Sequence, residues 1–342
     1  MKICHVINTL TSTSGEATRA IAIDRQTEHD IGLLVWIRGD RNLIPDDIPV
    51  HFIQADNDRM AIKESMGVIK NYDVVHHHHP HSGLRSQIAA TMLNKPTVYT
   101  YGTVPSRYAK KPRIGSLFTT SLANYVTYVS ETVMMRMTRV ERFLHRPCKV
   151  VYPGVDLNLV DNAINYYENY KSDKLLVAAV GRLEPVKNFE LLIDCLNGEP
   201  DIELIIAGDG SQRNILSGLA GPNVTLLGEQ PRELVIKLMY DADVVVIPSK
   251  QEGFAGVPLE AMAVGTPVVL SKISAFTIPF KKELAYWTDP NSSNDLRLAI
   301  EDAINSDGTR EKLARDFVRN TYSVEKTTRE YSEIYENIHP YN

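Results

Sequence analysis

A short apolar run that leads into a glycine-rich turn constrains this fold more than any other feature. Residues 242–248 contain a continuous apolar stretch closed by Pro248, which is typical of a buried parallel strand. In the segment that follows, Pro258 suits the first turn of a helix and Gly265 suits its carboxyl end. Strand, glycine turn and helix start together predict an α/β domain with backbone N–H groups directed at an anion.

The same alternation of short apolar runs and helical stretches recurs along the chain. Strand candidates in the first half are residues 2–7, 31–36, 50–53, 74–76, 97–101, 125–129 and 149–152, and helix candidates are 16–27, 59–70, 83–93 and 131–143. After a polar segment, 158–173, interpreted as a linker helix or hinge, strand candidates resume at 175–180, 202–207, 224–227, 243–247 and 267–270.

This rhythm predicts two doubly wound parallel-sheet domains facing each other across a cleft. The length of 342 residues agrees, because it exceeds what one ordinary core accommodates. We place the domain limits at 1–157 and 158–322. The tail, 323–342, has aromatic residues at helical spacing and is expected to form a helix that packs back on the first domain.

Composition excludes several classes of protein. The net charge of -5 gives no argument for nucleic-acid binding. The three cysteines are widely separated and fit neither a disulfide framework nor a zinc motif. The amino terminus reads as a first strand and not as a signal peptide, and no apolar run approaches the roughly 18 residues of a membrane span. A cytoplasmic location is the expectation.

Charged residues cluster where strands of the second half end. Glu252 and Glu260 flank the glycine-rich turn, and Arg182 and Lys187 follow the strand candidate 175–180. Open α/β sheets bind ligands at this edge, and two cations five residues apart suit a diphosphate. Phosphates beside hydroxyl-binding carboxylates suggest a sugar nucleotide. The alternative is that both cations are solvated loop residues.

Two further turns in the second half carry weaker signals. Gly208 and Gly210 form a short Gly-x-Gly after a strand. This is not the full dinucleotide fingerprint, which disfavours a nicotinamide dehydrogenase, and a tight strand-to-helix turn explains it equally well. Gly228 ends the next strand candidate, where the backbone is in a position to contact a nucleotide base.

These motifs together resemble the retaining glycosyltransferases of family 4, the glycosyl transferases of group 1, which have the GT-B fold. The chain has Gly181-Arg182…Lys187-Asn188, then Gly208-Asp-Gly210, then Pro248-Ser249…Glu252-Gly-Phe…Leu259-Glu260-Ala-Met-Ala-Val-Gly265-Thr-Pro-Val-Val, in the family's order. Weaker similarities lie upstream, in Asp73-Val-Val-His76, Ser130-Glu131 and Val151-Tyr-Pro-Gly154-Val-Asp156.

The resemblance implies a role for each matching residue. Arg182 and Lys187 would hold the diphosphate and, with Glu252 at the donor sugar, form the catalytic set. Glu260 would bind the ribose hydroxyls. The first domain would bind the acceptor, and no metal is required, because cations and a helix N-terminus stabilise the departing phosphate. The remaining donor-binding set is Gly15, Gly181, Gly208, Gly210, Gly228, Gly253, Phe254, Ala255 and Gly256.

The chain departs from the family pattern at two places. Ala255 stands where the family has the last glycine of Glu-Gly-Phe-Gly, and Gly256 follows it. The family also often places a histidine beside the donor sugar at the end of a strand of the first domain. Here that region contains Tyr101-Gly102 and no histidine.

A run of histidines, His76-His-His-His79-Pro-His81, offers a replacement. One interpretation is an active-site loop in which His76 or His79 faces the acceptor, and Tyr101 is a third candidate for the acceptor side. A second is a polar loop. A metal site is the third, but adjacent strand residues alternate faces, so four consecutive imidazoles are not expected to converge on one ion.

Basic residues of the first domain form two groups. On one continuous helix, the cations of 131–146 would line a single face. They suit either peripheral docking at the inner, anionic face of a membrane that carries a lipid-linked acceptor, or a solvated helix face. The residues are Arg107, Lys110, Lys111 and Arg113 in a loop, and Arg136, Arg139, Arg142 and Arg146 along the expected helix.

The sequence therefore favours a glycosyltransferase that moves a sugar from a UDP- or GDP-sugar to a hydroxyl acceptor, such as a lipid-linked or cell-envelope glycan. The nucleotide-sugar is a substrate, and no cofactor is expected. Two alternatives stay open. One is a GT-B-like epimerase or phosphorylase; the other is a binding-only or partner-dependent subunit, to which Ala255 and the missing histidine would be suited.

Overall fold

A computed structural model describes residues 1–10, 28–37, 46–102, 117–144, 147–170, 172–254 and 256–339. The chain divides into two compact units. The first comprises Met1–Pro153 together with Val324–Asn342, and the second comprises Gly154–Ser323. Two parallel sheets with flanking helices form these units, which is the arrangement expected from the alternation of apolar runs and helical stretches.

The first unit is built on a parallel sheet of seven strands in the order β3-β2-β1-β4-β5-β6-β7. Every predicted strand of this half overlaps an observed one, whereas the predicted helix 16–27 lies outside the described residues. The strands are β1 (Lys2–Thr9), β2 (Asp30–Ile37), β3 (Val50–Phe52), β4 (Val74–His77), β5 (Thr97–Tyr101), β6 (Tyr125–Tyr128) and β7 (Cys148–Val150), and the helices are α1 (Asp58–Ile69), α2 (Pro80–Met92), α3 (Glu131–Met135) and α4 (Arg139–Leu144).

The single helix predicted for residues 131–143 is wrong, because the structure divides it into α3 and α4. Thr138 and Glu141 form a reciprocal cap at the break. The Thr138 backbone N–H donates to Glu141 Oε2 (2.6 Å), and the Glu141 N–H donates to Thr138 Oγ1 (3.2 Å). This Thr-x-x-Glu capping box starts a new helix at Arg139. Arg136 and Arg139 therefore do not share one continuous helix face.

The second unit repeats the design with six parallel strands in the order β10-β9-β8-β11-β12-β13. The predicted strands of this half are all present, and the short edge strand β13 was not predicted. The strands are β8 (Leu175–Val180), β9 (Ile202–Ala207), β10 (Val224–Gly228), β11 (Val244–Ile247), β12 (Val268–Ser271) and β13 (Tyr286–Thr288). The helices are α5 (Leu157–Tyr166), α6 (Phe189–Leu196), α7 (Arg213–Leu219), α8 (Arg232–Asp241), α9 (Gly256–Val264), α10 (Ser274–Thr277), α11 (Ser293–Ile304) and α12 (Thr309–Thr321).

An apolar cluster of side chains lies between the sheet of the second unit and two of its helices. Valine, leucine and isoleucine side chains of β8, β9 and β11 pack against α6 and α11, with Phe189 and Leu296 fully buried among them. Strands buried on both faces require such continuous apolar runs. The loops that follow β8 and β11 carry polar residues, among them Lys187 and Glu252.

The last helix, α13 (Val324–Ile338), belongs to the first unit. Its Tyr331, Ile334 and Tyr335 are buried against a core that includes Ile3 and Val98 of the sheet. The chain thus leaves the first unit after Pro153 and returns to it at Val324. Within the described ranges, no helix combines the length and the apolar character needed to cross a membrane.

Candidate functional site

The sheet of the second unit changes direction between β8 and β11. The strand order runs outward from β8 through β9 to β10 on one side, and from β11 through β12 to β13 on the other. The loops after β8 and β11 therefore open a crevice at their carboxyl ends, which is where open α/β sheets bind ligands. Lys187 lies in the loop after β8, and Glu252 lies in the loop after β11.

Lys187 and Glu252 meet in a partly buried ion pair. Lys187 Nζ donates to Glu252 Oε1 at 2.6 Å, and the hydroxyl of Ser249 donates to the same oxygen at 2.9 Å. The exposed fractions of the two charged side chains are 14% and 9%. Backbone contact fixes the loops, because the Lys250 N–H donates to the Val186 carbonyl (2.8 Å). Lys187 and Glu252, which belong to two separate sequence motifs, are thus in direct contact.

Asn188 holds this arrangement to the sheet. Its backbone is left-handed, with φ at 61°, a conformation that asparagine tolerates better than most residues. The side-chain Nδ2 donates to the carbonyls of Pro248 (3.1 Å) and Pro290 (2.9 Å). Asn188 is buried, and these bonds fix the backbone next to Lys187. Its role was not predicted, although a Lys-Asn pair after a strand was the available signal.

The glycines after β8 and β9 are explained by close backbone packing. A Cβ on Gly208 would lie 2.0 Å from the Gly181 carbonyl oxygen, and a Cβ on Gly210 would lie 2.6 Å from the Leu183 carbonyl oxygen. The Gly208 N–H donates to the Gly228 carbonyl at 2.8 Å, which joins the next turn to the stack. These turns form one layer at the strand ends, and the side chain of Lys187 lies over Gly181.

Glu260 projects from α9 and is almost completely buried. Arg232, the first residue of α8, pairs with its Oε1. The other oxygen, Oε2, is buried and accepts no hydrogen bond from any part of the chain that the structure describes. A buried carboxylate oxygen without a donor is costly, so this atom marks a place for a ligand donor. Arg232 was not singled out in the sequence.

The other predicted donor-site residues of this unit have different surroundings. Arg182 is exposed, and it forms no ion pair within the described ranges. Gly253 is buried, and the ring of Phe254 lies 6.2 Å from that of Tyr322. Gly256 begins α9. Ala255 and, in the other unit, Gly15 lie outside the described residues.

The histidine run of the first unit does not form a simple polar loop. His76 is fully buried; its Nδ1 bonds the Tyr335 hydroxyl (2.6 Å), and its Nε2 bonds the Thr100 hydroxyl (2.6 Å). His5 Nδ1 and His78 Nε2 are 2.8 Å apart. His5 was missed because it lies far away in the sequence, on the strand that pairs with β4.

Ligand atoms of His5, His76 and His78 lie within 4.8 Å of one another, a grouping that could hold a metal ion. Adjacent histidines do point to opposite faces, but His76 and His78 are two residues apart and share a face with His5. His77 takes the opposite direction toward Ser86, with His77 Nδ1 3.2 Å from the hydroxyl. Full burial lowers the pKa of His77 to about 3. Both nitrogens of His76 bond the protein, which fits a hydrogen-bond network better than a metal site.

The remaining residues expected near an acceptor divide between interior and surface. Tyr101 is buried, and its ring stacks on Tyr128 at 5.5 Å. His79 is half-buried just before α2. Arg136 and Arg139 are exposed. The cations Arg107, Lys110, Lys111, Arg113 and Arg146 lie outside the described residues, and so does the side chain of Arg142.

Comparison with family models matches both halves of the chain. The model described as "Glycosyltransferase Family 4" matches residues 16–159, and the model described as "Glycosyl transferases group 1" matches residues 165–324. The second match contains Lys187, Glu252, Glu260 and Arg232. The candidate site therefore lies in the part of the chain matched by the group 1 model.

Named relatives are similar over part of their length. An uncharacterized glycosyltransferase of Methanocaldococcus jannaschii is 32% identical over 207 residues, which are 55% of this chain and 53% of the relative. D-inositol 3-phosphate glycosyltransferase of Mycolicibacterium smegmatis is 28% identical over 236 residues, or 60% of this chain and 54% of the relative. The chain spans about half the length of these curated relatives.

Solved structures show the same architecture over nearly the whole chain. Anabaena HepE in complex with UDP and glucose has a TM-score of 0.84 at 20% identity, covering 98% of this chain and 100% of that one. Sucrose-phosphate synthase of Thermosynechococcus elongatus has a TM-score of 0.79 at 19% identity, covering 98% of each chain. With two parallel sheets and both family models matched, the chain belongs to the family 4 glycosyltransferases, which have the GT-B fold.

Proposed function

We propose that this protein is a retaining glycosyltransferase that moves a sugar from a UDP- or GDP-sugar to a hydroxyl acceptor. One observation carries the proposal. At the switch point of the second sheet, a partly buried Lys187–Glu252 pair lies in the same crevice region as the α9 segment. There Glu260 keeps a buried oxygen that has no donor among the residues the structure describes. Relatives named glycosyltransferases and a neighbour bound to UDP and glucose support it.

The cations of the site match the charge that a departing nucleotide develops. Breaking the bond between the anomeric carbon and the phosphate leaves negative charge on the diphosphate. Arg182, exposed and without an ion pair in the described ranges, and Lys187 would stabilise that charge, aided by the amino terminus of α9 at Gly256. In the proposed reaction these groups make a metal unnecessary.

The two carboxylates would take separate hydroxyl groups. Glu252 Oε1 already accepts from Lys187 and Ser249, so the proposed role of Glu252 is to accept from donor-sugar hydroxyls and not to attack carbon. Glu260 would accept from the ribose. The proposed retention of configuration rests on the family resemblance, and the working mechanism is displacement by the acceptor on the face that the nucleotide leaves.

A lipid-linked or cell-envelope glycan is the proposed acceptor, approached at an anionic membrane surface. The support lies on α4, where Val140 and Phe143 are 63% and 88% exposed, beside the exposed Arg139. Apolar side chains next to cations suit the interface of an anionic bilayer. We expect sedimentation with vesicles containing phosphatidylglycerol, lost in Val140→Ser/Phe143→Ser; equal sedimentation of that variant would contradict the docking proposal.

The donor proposal is tested by thermal stabilisation against UDP-, GDP-, ADP- and CMP-sugars. We expect one nucleotide class to raise Tm, EDTA to leave the shift intact, and Arg182→Ala to abolish it. Arg297→Met is the control, because Arg297 pairs with Glu199 outside the candidate site. No shift with any nucleotide would point to a partner-dependent subunit, and loss of the shift in EDTA would contradict metal independence.

A further inference from the structure

The contact between Arg232 and Glu260 links two helices that follow different strands. Arg232 begins α8, after β10, and Glu260 lies one turn inside α9, after β11. A Cβ on Gly256 would lie 3.9 Å from an Arg232 Nη atom, so the guanidinium lies close to the first turn of α9. Arg232 thus connects the start of α8 to the Glu260 carboxylate of the candidate site.

The two oxygens of Glu260 are in different environments. Oε1 is paired with the Arg232 guanidinium, whereas Oε2 is buried without a hydrogen-bond donor in the described chain. The exposed fractions are 11% for the glutamate side chain and 40% for the arginine side chain. A buried carboxylate needs a compensating charge and a fixed geometry. Arg232 supplies both and leaves one oxygen to a ligand.

We infer that Arg232 is a positioning residue for nucleotide recognition, which fixes the Glu260 carboxylate so that Oε2 accepts from the ribose hydroxyls. This inference rests on the proposed donor site, and it adds a residue that acts through Glu260. Without the guanidinium, the carboxylate would be free to rotate or to draw in water. Ribose recognition would then weaken, while contacts to the diphosphate and the base would persist.

The experiment measures calorimetric affinity for UDP and GDP and for their 2′,3′-dideoxy forms, in the wild type, Arg232→Met, Arg232→Lys, Glu260→Gln and Arg232→Met/Glu260→Gln. Arg297→Met is a matched control, because Arg297 is also 40% exposed and also pairs with a glutamate. Melting curves of all variants establish that they are folded. The dideoxy ligands lack the hydroxyls that Glu260 is proposed to accept from.

We expect Arg232→Met to lower the affinity for the ribonucleotide by roughly 10-fold to 100-fold. This is the loss expected from one charge-assisted hydrogen bond. The dideoxy form should bind the variant as it binds the wild type, and Arg232→Lys should recover part of the loss. Because Arg232 acts through Glu260, the double variant should bind no more weakly than Glu260→Gln. Arg297→Met should keep wild-type affinity for both ligands.

Two outcomes would overturn the inference. Equal weakening of ribo and dideoxy ligands would mean that Arg232 contacts the base or the phosphate directly, and unchanged ribose discrimination would mean that Glu260 is oriented without it. Failure of the proposed function is distinguishable from both. In that case the wild type itself binds neither nucleotide.

Discussion

The two sheets of this protein share a parallel design but place their polar residues differently. In the first unit, His76, Thr100 and Thr127 lie within the strands, where α13 covers them. The Thr100 hydroxyl lies 2.6 Å from that of Thr127 and 3.3 Å from that of Tyr331. In the second unit, the two central strands β8 and β11 contain only apolar residues, and polar residues follow them. Lys187, which follows β8, is one such residue.

This difference separates polar residues that serve the fold from those available to a ligand. The imidazole of His76 has a protein partner at each nitrogen, supplied by Tyr335 and Thr100. Among the described residues, Glu260 has a partner for one oxygen only. Because buried polar groups normally find partners, an unmatched one at a strand-end crevice indicates a binding site more strongly than burial alone. His76 is accordingly left out of the proposed acceptor side.

The largest expected effect comes from removing one lysine of the second unit. In Lys187→Met we expect proposed transferase turnover to fall by roughly 10²-fold to 10³-fold, as when a group that stabilises developing charge is lost. The buried pair Lys237–Asp241, with exposed fractions of 3% and 7%, provides the control. Lys237→Met should lower stability and leave nucleotide affinity unchanged. Steady-state kinetics measure turnover, and calorimetry measures nucleotide affinity. Full turnover in Lys187→Met would contradict the proposed role of Lys187.

A medium effect is expected in the first unit, on stability alone. Tyr335→Phe removes the hydroxyl that bonds His76 Nδ1, and leaving a buried polar atom without its partner costs about 1–3 kcal/mol. Scanning calorimetry should show a lower Tm with unchanged nucleotide affinity, whereas Tyr167→Phe, at a 39% exposed tyrosine, should change neither. A loss of affinity at unchanged Tm would place Tyr335 with the ligand-binding residues.

The smallest effect at near-neutral pH concerns His77. Its pKa of about 3 in the folded chain lies below the ordinary value of 6.5. Between these values the unfolded chain binds more protons, so the free energy of unfolding falls as pH drops from about 6.5 toward 3, by up to about 1.4 kcal/mol per pH unit. In His77→Asn, which keeps a hydrogen-bonding group toward Ser86, the acid limb of Tm against pH should be flatter.

The exposed His51 supplies the control for that measurement, and His51→Asn should follow the wild-type acid limb. Parallel curves for His77→Asn and the wild type would show that another group controls acid sensitivity in the first unit. The buried histidines would then not account for the acid sensitivity of the first unit.

Much of the fold follows from local sequence. Apolar runs such as 244–247 are long enough to define buried strands, and parallel connection brings their carboxyl ends together, so that Lys187 and Glu252 could be expected at one edge. The short strand β13 has three residues, of which Tyr286 and Trp287 are half-buried, and it gave no comparable signal. The break at Thr138 had a signal in Thr-x-x-Glu that the recurring arginines outweighed.

What the sequence does not predict is side-chain pairing over long separations. Arg232 and Glu260 lie on different helices, and nothing local indicates that they meet. His5 and His76 are joined only once β1 pairs with β4. The family motif indicates which residues matter, but it does not indicate which oxygen of Glu260 remains for a ligand. That depends on tertiary packing.

The return of α13 to the first unit has a consequence for synthesis on the ribosome. The strands that carry His76 and Thr100 are translated early, but the tyrosines that complete their hydrogen bonds follow the whole of the second unit. The nascent first unit therefore cannot complete its hydrogen bonds at once, and its polar groups stay hydrated or temporarily bonded. The second unit is continuous in the chain and can fold before α13 is made. Released chains that end at Ser323 should contain a protease-resistant second unit and a first unit that is still digestible.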